Sequence, residues 1–233
     1  VKNIGDLYNN AQLKYFGSGG TEGTAPDYTS VLYPIGKTAF MRSGWGENDV
    51  YMSIDLNDGS HRHPDLLNLT AYAYGKRLLV DPGRYNYTST TEADWLKLST
   101  EAHNTIEIND LPQDIAPTAV TSWSTNKSFD FFEGFSLGYS GFRHDRDVLY
   151  IKPSYWIVSD YINSASGTNK YQQTWHMLPD ANISLDGTTK KTKTNFSNSA
   201  NIQVVPADPS SLTASIDSGY YSEKVANVSS SNY

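Results

Sequence analysis

Between residues 67 and 74 apolar and polar side chains alternate without a break. Leu67, Leu69, Ala71 and Ala73 fall on one side, and Asn68, Thr70, Tyr72 and Tyr74 on the other. A period of two fits a β-strand with one buried face and no regular helix. Gly75-Lys76 turns the chain, Arg77 to Val80 return, and Asp81-Pro82-Gly83 stops the ladder, because proline has no N–H to give it. The same texture recurs elsewhere. Thr38, Phe40 and Arg42 alternate with Ala39 and Met41, and further strands are expected at 50–56, 106–109, 129–135, 148–151, 155–161, 171–178 and 202–205, with turn signals between them. There is no βαβ alternation, internal repeat or long helical period. The chain is therefore expected to be all-β: a large antiparallel, supersandwich-like β-sandwich with little helix.

Residues 1–30 lack this pattern. Asp6 reads as the cap of a short helix through Leu7, Ala11 and Leu13, and residues 17–23 as a glycine-rich linker or loop. The expected division is a linker or short helix at 1–30, leading from a missing N-terminal region, and the sandwich domain at 31–233. The first residue is Val1 and no secretory signal follows, so the chain reads as a piece of something longer. A net charge of -7 speaks against general nucleic-acid or membrane binding. No apolar run reaches the roughly 18 residues a membrane helix needs. The absence of cysteine removes disulfides, thiolate metal sites and thiol nucleophiles. The 17 tyrosines and five tryptophans suit strands and also suit stacking on sugars.

Chemistry concentrates in Gly59-Ser60-His61-Arg62-His63-Pro64-Asp65. The chain has five histidines, and two of them stand here one residue apart, so extended backbone offers both imidazoles to one pocket. The hairpin that follows returns Asp81 towards His63. Asp81 before Pro-Gly also reads as a plain turn former, and His103 in Ala102-His103-Asn104-Thr105 as a hydrogen-bonded residue at a strand end. Asp55, Asn57 and Asp58 read as a turn rather than a calcium loop, whose ligand spacing they do not match. His176, between Trp175 and Met177, reads as a packed or hydrogen-bonded core-edge residue. The run Arg143-His144-Asp145-Arg146-Asp147 reads as a solvated turn and strand start, with a sugar contact by Arg143 or Arg146 as the lesser option. Arg62, Lys76, Arg77 and Arg84 form a basic cluster in sequence, and Tyr85 and Tyr87 either line a cleft or pack on a loop.

The run 59–65, followed by Leu79-Val80-Asp81-Pro82-Gly83 and then by Ala102-His103-Asn104-Thr105, resembles the signature of the heparinase II/III-like polysaccharide lyases. Weaker matches follow at residues 146–150, 155–160, 173–179 and 219–222, so the resemblance covers residues 33–225. The family includes alginate and oligoalginate lyases, and its members place an α-helical toroid before a large β-sandwich. Only the sandwich is matched here. The resemblance implies the C-terminal domain of an enzyme that cleaves uronate-containing chains, alginate or heparin/heparan-like glycosaminoglycan, by β-elimination.

It further implies that His61 is the sandwich histidine facing the substrate, and that His63, Asp81 and His103 hold a structural zinc ion. Two imidazoles and a carboxylate suit zinc, with another divalent ion as the alternative. Arg62, Asp65, Arg84, Tyr85 and Asn104 are the residues expected to touch substrate or to orient the ligands. The implied partners are an anionic polysaccharide and the missing toroid, and the implied compartment is periplasmic or extracellular. The competing class is a non-catalytic, metal-stabilised carbohydrate-binding or scaffolding sandwich. A cupin-like metal enzyme is a third option, since such barrels also pair histidines.

Overall fold

The computed structural model describes residues 2–58, 63–164, 167–224 and 227–232. Two short helices lead, α1 (Lys2–Leu7) and α2 (Ala11–Gly17). Asp6 lies inside the first rather than capping it. The cap is Asn10, whose Oδ1 accepts from the Leu13 N–H at 2.9 Å, as a short amide side chain does at an exposed helix start. Five antiparallel strands then form one sheet in sequence order: β1 (Val31–Tyr33), β2 (Thr38–Arg42), β3 (Tyr51–Asp55), β4 (Leu69–Ala73) and β5 (Lys76–Leu79).

Between β5 and the next strand, where residues 85–99 read as a long surface loop with a helical turn at Trp95, Leu96 and Leu98, stands a two-turn helix, α3 (Thr91–Leu98), with Thr90 as its cap. A single 3₁₀ turn, Thr100–Ala102, follows. The remaining strands are β6 (Ile106–Ile108), β7 (Thr118–Thr125), β8 (Phe129–Ser136), β9 (Phe142–Ile151), β10 (Tyr155–Ser164), β11 (Tyr171–Gln173), β12 (Ser184–Leu185), β13 (Thr192–Lys193), β14 (Gln203–Val204), β15 (Ser218–Lys224) and β16 (Asn227–Asn232). Strands β10, β9, β8 and β7 make a second antiparallel sheet in that order, β6 pairs with β11, and β12 to β14 and β15–β16 form small sheets.

The alternation read from the sequence is the packing of the two large sheets. Ala39, Met41, Met52, Ile54, Leu69 and Ala71 point inward from the first, and Phe132, Val148 and Tyr150 from the second, into one continuous core. This is an antiparallel β-sandwich, as the period-two pattern requires.

The charged run 143–147 is not a solvated turn. It lies within β9, where His144 and Arg146 continue the inward face of Val148 and Tyr150. Burying an arginine requires a paired, fully hydrogen-bonded guanidinium, and β10 supplies the partner. Asp160 stands opposite Arg146 in register, bonds its Nε at 2.7 Å and Nη2 at 2.9 Å, and also takes the His144 Nε2 contact at 2.6 Å and an N–H from Gln173 at 2.6 Å. Burial pulls Asp160 upward, but Arg146 and His144 outweigh it and hold the carboxyl well below the usual carboxylate range. Arg146 is consequently no sugar contact; its second arm points at the site described next.

Candidate metal centre

Three separate pieces of chain meet at one end of the first sheet. Leu67 carries a left-handed backbone, φ 62°, unusual for a branched residue. Its carbonyl accepts Arg146 Nη1 at 2.7 Å, and the same nitrogen reaches the Asn104 carbonyl at 2.9 Å. The guanidinium thereby ties the strand entering the site to the segment that carries His103. Asn104 closes the knot. Its Nδ2 donates to the carbonyls of Leu69 at 2.7 Å and Val80 at 3.0 Å, and its Oδ1 accepts the His176 N–H. The Asn104 amide group is therefore committed to backbone.

On this frame the ionisable side chains converge. Asp81 Oδ2 lies 2.8 Å from His103 Nδ1 and accepts the Asn68 Nδ2–H at 2.8 Å, while Asp81 Oδ1 accepts the Gly83 N–H at 2.9 Å. Asp81 is thus both the turn former of Asp-Pro-Gly and the carboxylate on His103. Gly83 is required at its place. It has φ 78°, and a Cβ there would sit 2.4 Å from the Ser222 carbonyl oxygen, where β15 bridges to the turn. The His63 ring stands edge-on to that of His103, centroids 5.6 Å apart. Donor atoms of His63, Asp65 and His103 all lie within 4.8 Å of one another. His103 is wholly buried, and its Nε2 has no hydrogen-bond partner among the described residues.

Electrostatics follow from this packing. Burial, aided by His103, lowers the His63 pKa to about 4, which leaves a neutral imidazole able to bind a cation. Burial pushes Asp65 up to about 7. Burial favours neutral Asp81 and neutral His103, yet each counters it for the other, so Asp81 is held ionised and His103 keeps its proton. A divalent cation fits this donor set: imidazole nitrogens and carboxylate oxygens gather around a buried nitrogen, His103 Nε2, that has no partner among the described residues.

The centre opens on a cleft of about 420 Å³ along the outward face of β2 to β4, with Phe40, Ser53 and Thr70 on its floor and Arg84 at its side. Arg84 lies over the exposed Tyr87 ring at 3.9 Å, and Tyr85 is half-buried beside it. His61 and Arg62 fall outside the described residues. His176 is fully buried, with its ring Nε2 2.7 Å from the Glu101 carbonyl, in keeping with a packed, bonded histidine. Sequence reasoning missed Asn68, whose Oδ1 accepts the Asn104 N–H at 2.8 Å and whose Nδ2 steadies Asp81. Its only signal was a polar residue next to the buried face of a strand start. It also placed Asp65 among the residues that touch substrate or orient the ligands, whereas its carboxylate lies within the cluster itself.

Comparisons with known proteins agree with this architecture. The model of the family described as heparinase II/III-like, C-terminal, matches residues 48–230. A heparin-sulfate lyase of Pedobacter heparinus is 26% identical over 212 residues, 87% of this chain and 32% of that protein. A heparin-sulfate lyase of Bacteroides stercoris is 23% identical over 220 residues, 91% of this chain and 32% of that protein. The chain thus spans about a third of the length of the curated relatives it matches. Among solved structures, the heparan sulfate lyase HepC from Pedobacter heparinus superposes with a TM-score of 0.89 at 22% identity, over 99% of this chain and 37% of that one.

Proposed function

The chain belongs to the heparinase II/III-like family as its C-terminal domain, and from that membership we propose that it forms one wall of the active cleft of a polysaccharide lyase. The substrate class is an anionic, uronate-containing polysaccharide. Heparin or heparan sulfate is preferred over alginate because the relatives that match carry the name heparin-sulfate lyase. The observation that carries the reading is the convergence of His63, Asp65, Asp81 and His103 beside an open cleft on the sheet face.

The chemistry required is β-elimination. A base removes the C5 proton of the uronate, the electron pair forms the C4–C5 double bond, the C4–O bond breaks, and the departing oxygen takes a proton. The C5 proton is weakly acidic, so the neighbouring carboxylate has to be neutralised as charge builds on it. From this chain His61 is the group proposed to face the reacting uronate and to move a proton, while Arg84 and Arg62 hold anionic groups of the polymer. His63, His103 and Asp81 are proposed to hold zinc, with Asp65 alongside. When bound, the ion would supply a fixed positive charge joining His63 to the segment that carries His103. The remaining wall of the cleft is proposed to come from the helical toroid that the family resemblance implies.

The test uses a protein extended through that helical region. Heparan sulfate, heparin and alginate are offered, and the absorbance of the unsaturated uronate product is followed. Heparan sulfate or heparin is expected to be cut, His61→Ala to lower the rate by about 10²–10⁴-fold, and His63→Ala to lose zinc and melt at a lower temperature. An extended protein that cuts none of the three sinks the lyase reading, and a His61→Ala variant that cuts at full rate removes His61 from the chemistry. A protein that binds the polymers without cutting them is the carbohydrate-binding alternative.

A further inference from the structure

The floor of the cleft continues beyond the metal centre. Along β2 and β3 the outward residues run Thr38, Phe40, Arg42 and, opposite them in register, Asp55, Ser53, Tyr51. Phe40 both lines the cleft and touches Arg42, so the two regions share a wall. The step from Thr38 to Arg42 is four residues of strand, roughly 13 Å.

Arg42 is an unusual arginine. Its guanidinium carbon stands 4.9 Å from the Phe40 ring centroid, 4.6 Å from Trp45 and 4.7 Å from Tyr51. Its Nε is buried without a hydrogen-bond partner, and among the described residues the guanidinium meets no carboxylate and makes no hydrogen bond. Among the other described arginines, Arg146 has Asp160, Arg143 has Asp145 and Arg77 has Glu223, while Arg84 also lies over a ring without a carboxylate but donates to the Asn86 carbonyl. The chain carries 25 acidic residues against 18 basic ones, so an unpaired, half-buried cation is not for want of partners. Burial pulls its pKa below the ordinary arginine value, while the nearby tyrosines pull it back. Cation–π contact compensates the charge only in part and leaves the hydrogen-bond donors of the fork unused.

The wall around it suits a sugar. Tyr51 is 6.1 Å from Tyr72 and Phe40 is 6.3 Å from Tyr51, centroid to centroid, which makes a row of rings across three strands. The hydroxyls of Ser53 and Thr70, 2.6 Å apart, lie between this row and the metal centre. Rings for the apolar face of a pyranose, hydroxyls for its edges and a free planar fork for an anion form one contiguous track.

We propose that Arg42, with Phe40, Tyr51 and Tyr72, forms a second saccharide subsite that binds a sulfate or carboxylate of the polymer several sugar units away from the metal centre. This rests on the reading of the substrate as an anionic polysaccharide. It assigns Arg42 to holding and registering the chain; the chemical step lies elsewhere.

The experiment is calorimetric titration of the zinc-loaded chain with a heparin hexasaccharide and, separately, an alginate hexasaccharide. The first carries sulfate and carboxylate, the second carboxylate only. Arg42→Gln is expected to weaken heparin binding at least 10-fold. Arg42→Lys is expected to fall between the two, since it keeps the charge and loses the fork. Tyr51→Leu is expected to weaken both ligands, with zinc content and melting temperature held in Arg42→Lys as the control for folding. Alginate bound as tightly as heparin assigns Arg42 to carboxylate; heparin alone assigns it to sulfate. Wild-type affinity in both Arg42 variants, or a wild-type chain that binds neither ligand, overturns the subsite. Binding lost only in His63→Ala does so too, because the sugar would then sit at the metal centre alone. The lyase assay is a separate readout: Arg42-dependent binding in a protein that cuts nothing keeps the subsite and rejects the lyase.

Discussion

Asp81 and Asp65 are neighbouring carboxylates whose pKa values move in opposite directions. Asp81 is held ionised against His103, and Asp65 is pushed up to about 7 by burial. His103 Nδ1 and Asp81 Oδ2 stand 2.8 Å apart, so Asp81 would hold the His103 ring in place, or become a ligand itself if zinc replaced the proton between them. Asp81→Asn is therefore expected to lower zinc affinity by about 10–100-fold or more, the size seen when a ligand or its supporting carboxylate is lost. Asp65→Asn is expected to keep zinc, because a half-protonated carboxyl is the weaker donor. Zinc stoichiometry measured on the two purified variants checks this, and loss of zinc in Asp65→Asn would make Asp65 the third ligand through the free His103 Nε2. Arg146 calls for a different prediction. Its removal strands the Asp160 charge in the interior and frees the Leu67 and Asn104 carbonyls. Arg146→Ala is expected to destabilise the fold by about 3–5 kcal/mol, as for other broken buried pairs, read as a shift of the denaturant midpoint.

Among the elements, the short pair β6–β11 carries a titrating group. Glu107 on β6 is nearly buried, and burial, reinforced by Glu101 and Asp110, raises its carboxyl to about 7. A carboxyl raised on folding contributes stability that is complete below its unfolded pKa, about 4.5, and is lost as pH rises through 7. Glu107→Gln is expected to raise the melting temperature at pH 8 and to leave it nearly unchanged at pH 4.5. Melting curves at the two pH values decide it, and equal shifts at both would show that charge is not the cause. How well each element could be read depended on what its residues faced. In β2 to β4 aliphatic residues face the core and polar or aromatic ones the cleft, so the sequence shows the strands plainly. In β9 the inward residues include His144 and Arg146, whose burial depends on Asp160 across the ladder, a pairing that no local pattern reveals. The helix α3 is short and aromatic, and Thr90 as its cap was the signal passed over. The approach of Asp81 to His63 was legible because a tight hairpin returns the chain, whereas His103 joined them only through the family resemblance. The roles of Asn68 and Asn104 were not, because they bond to backbone made available only by the fold.

At the scale of the whole molecule, the cleft has one built wall. It consists of the outward face of a sheet, with Arg84 at its side and the metal cluster at its end. It lies open along that face. β-Elimination needs a base, an acid and a neutraliser for the uronate carboxylate in one place. Of these, the chain is proposed to supply a proton-moving group, His61, and the cations Arg62 and Arg84. A lyase reading that places the other groups on a separate helical region makes a strong claim about this chain alone: it is expected to bind anionic saccharide, keep its zinc and turn over heparan sulfate, heparin, alginate or hyaluronan negligibly. The loss expected is large, since positioning groups across a cleft is worth about 7–11 kcal/mol of barrier when they are well oriented. Adding the helical region in the same polypeptide should restore the unsaturated product, whereas robust turnover by residues 1–233 alone would mean that the acid, the base and the carboxylate clamp all reside on the sandwich, and that the division of labour proposed here is wrong.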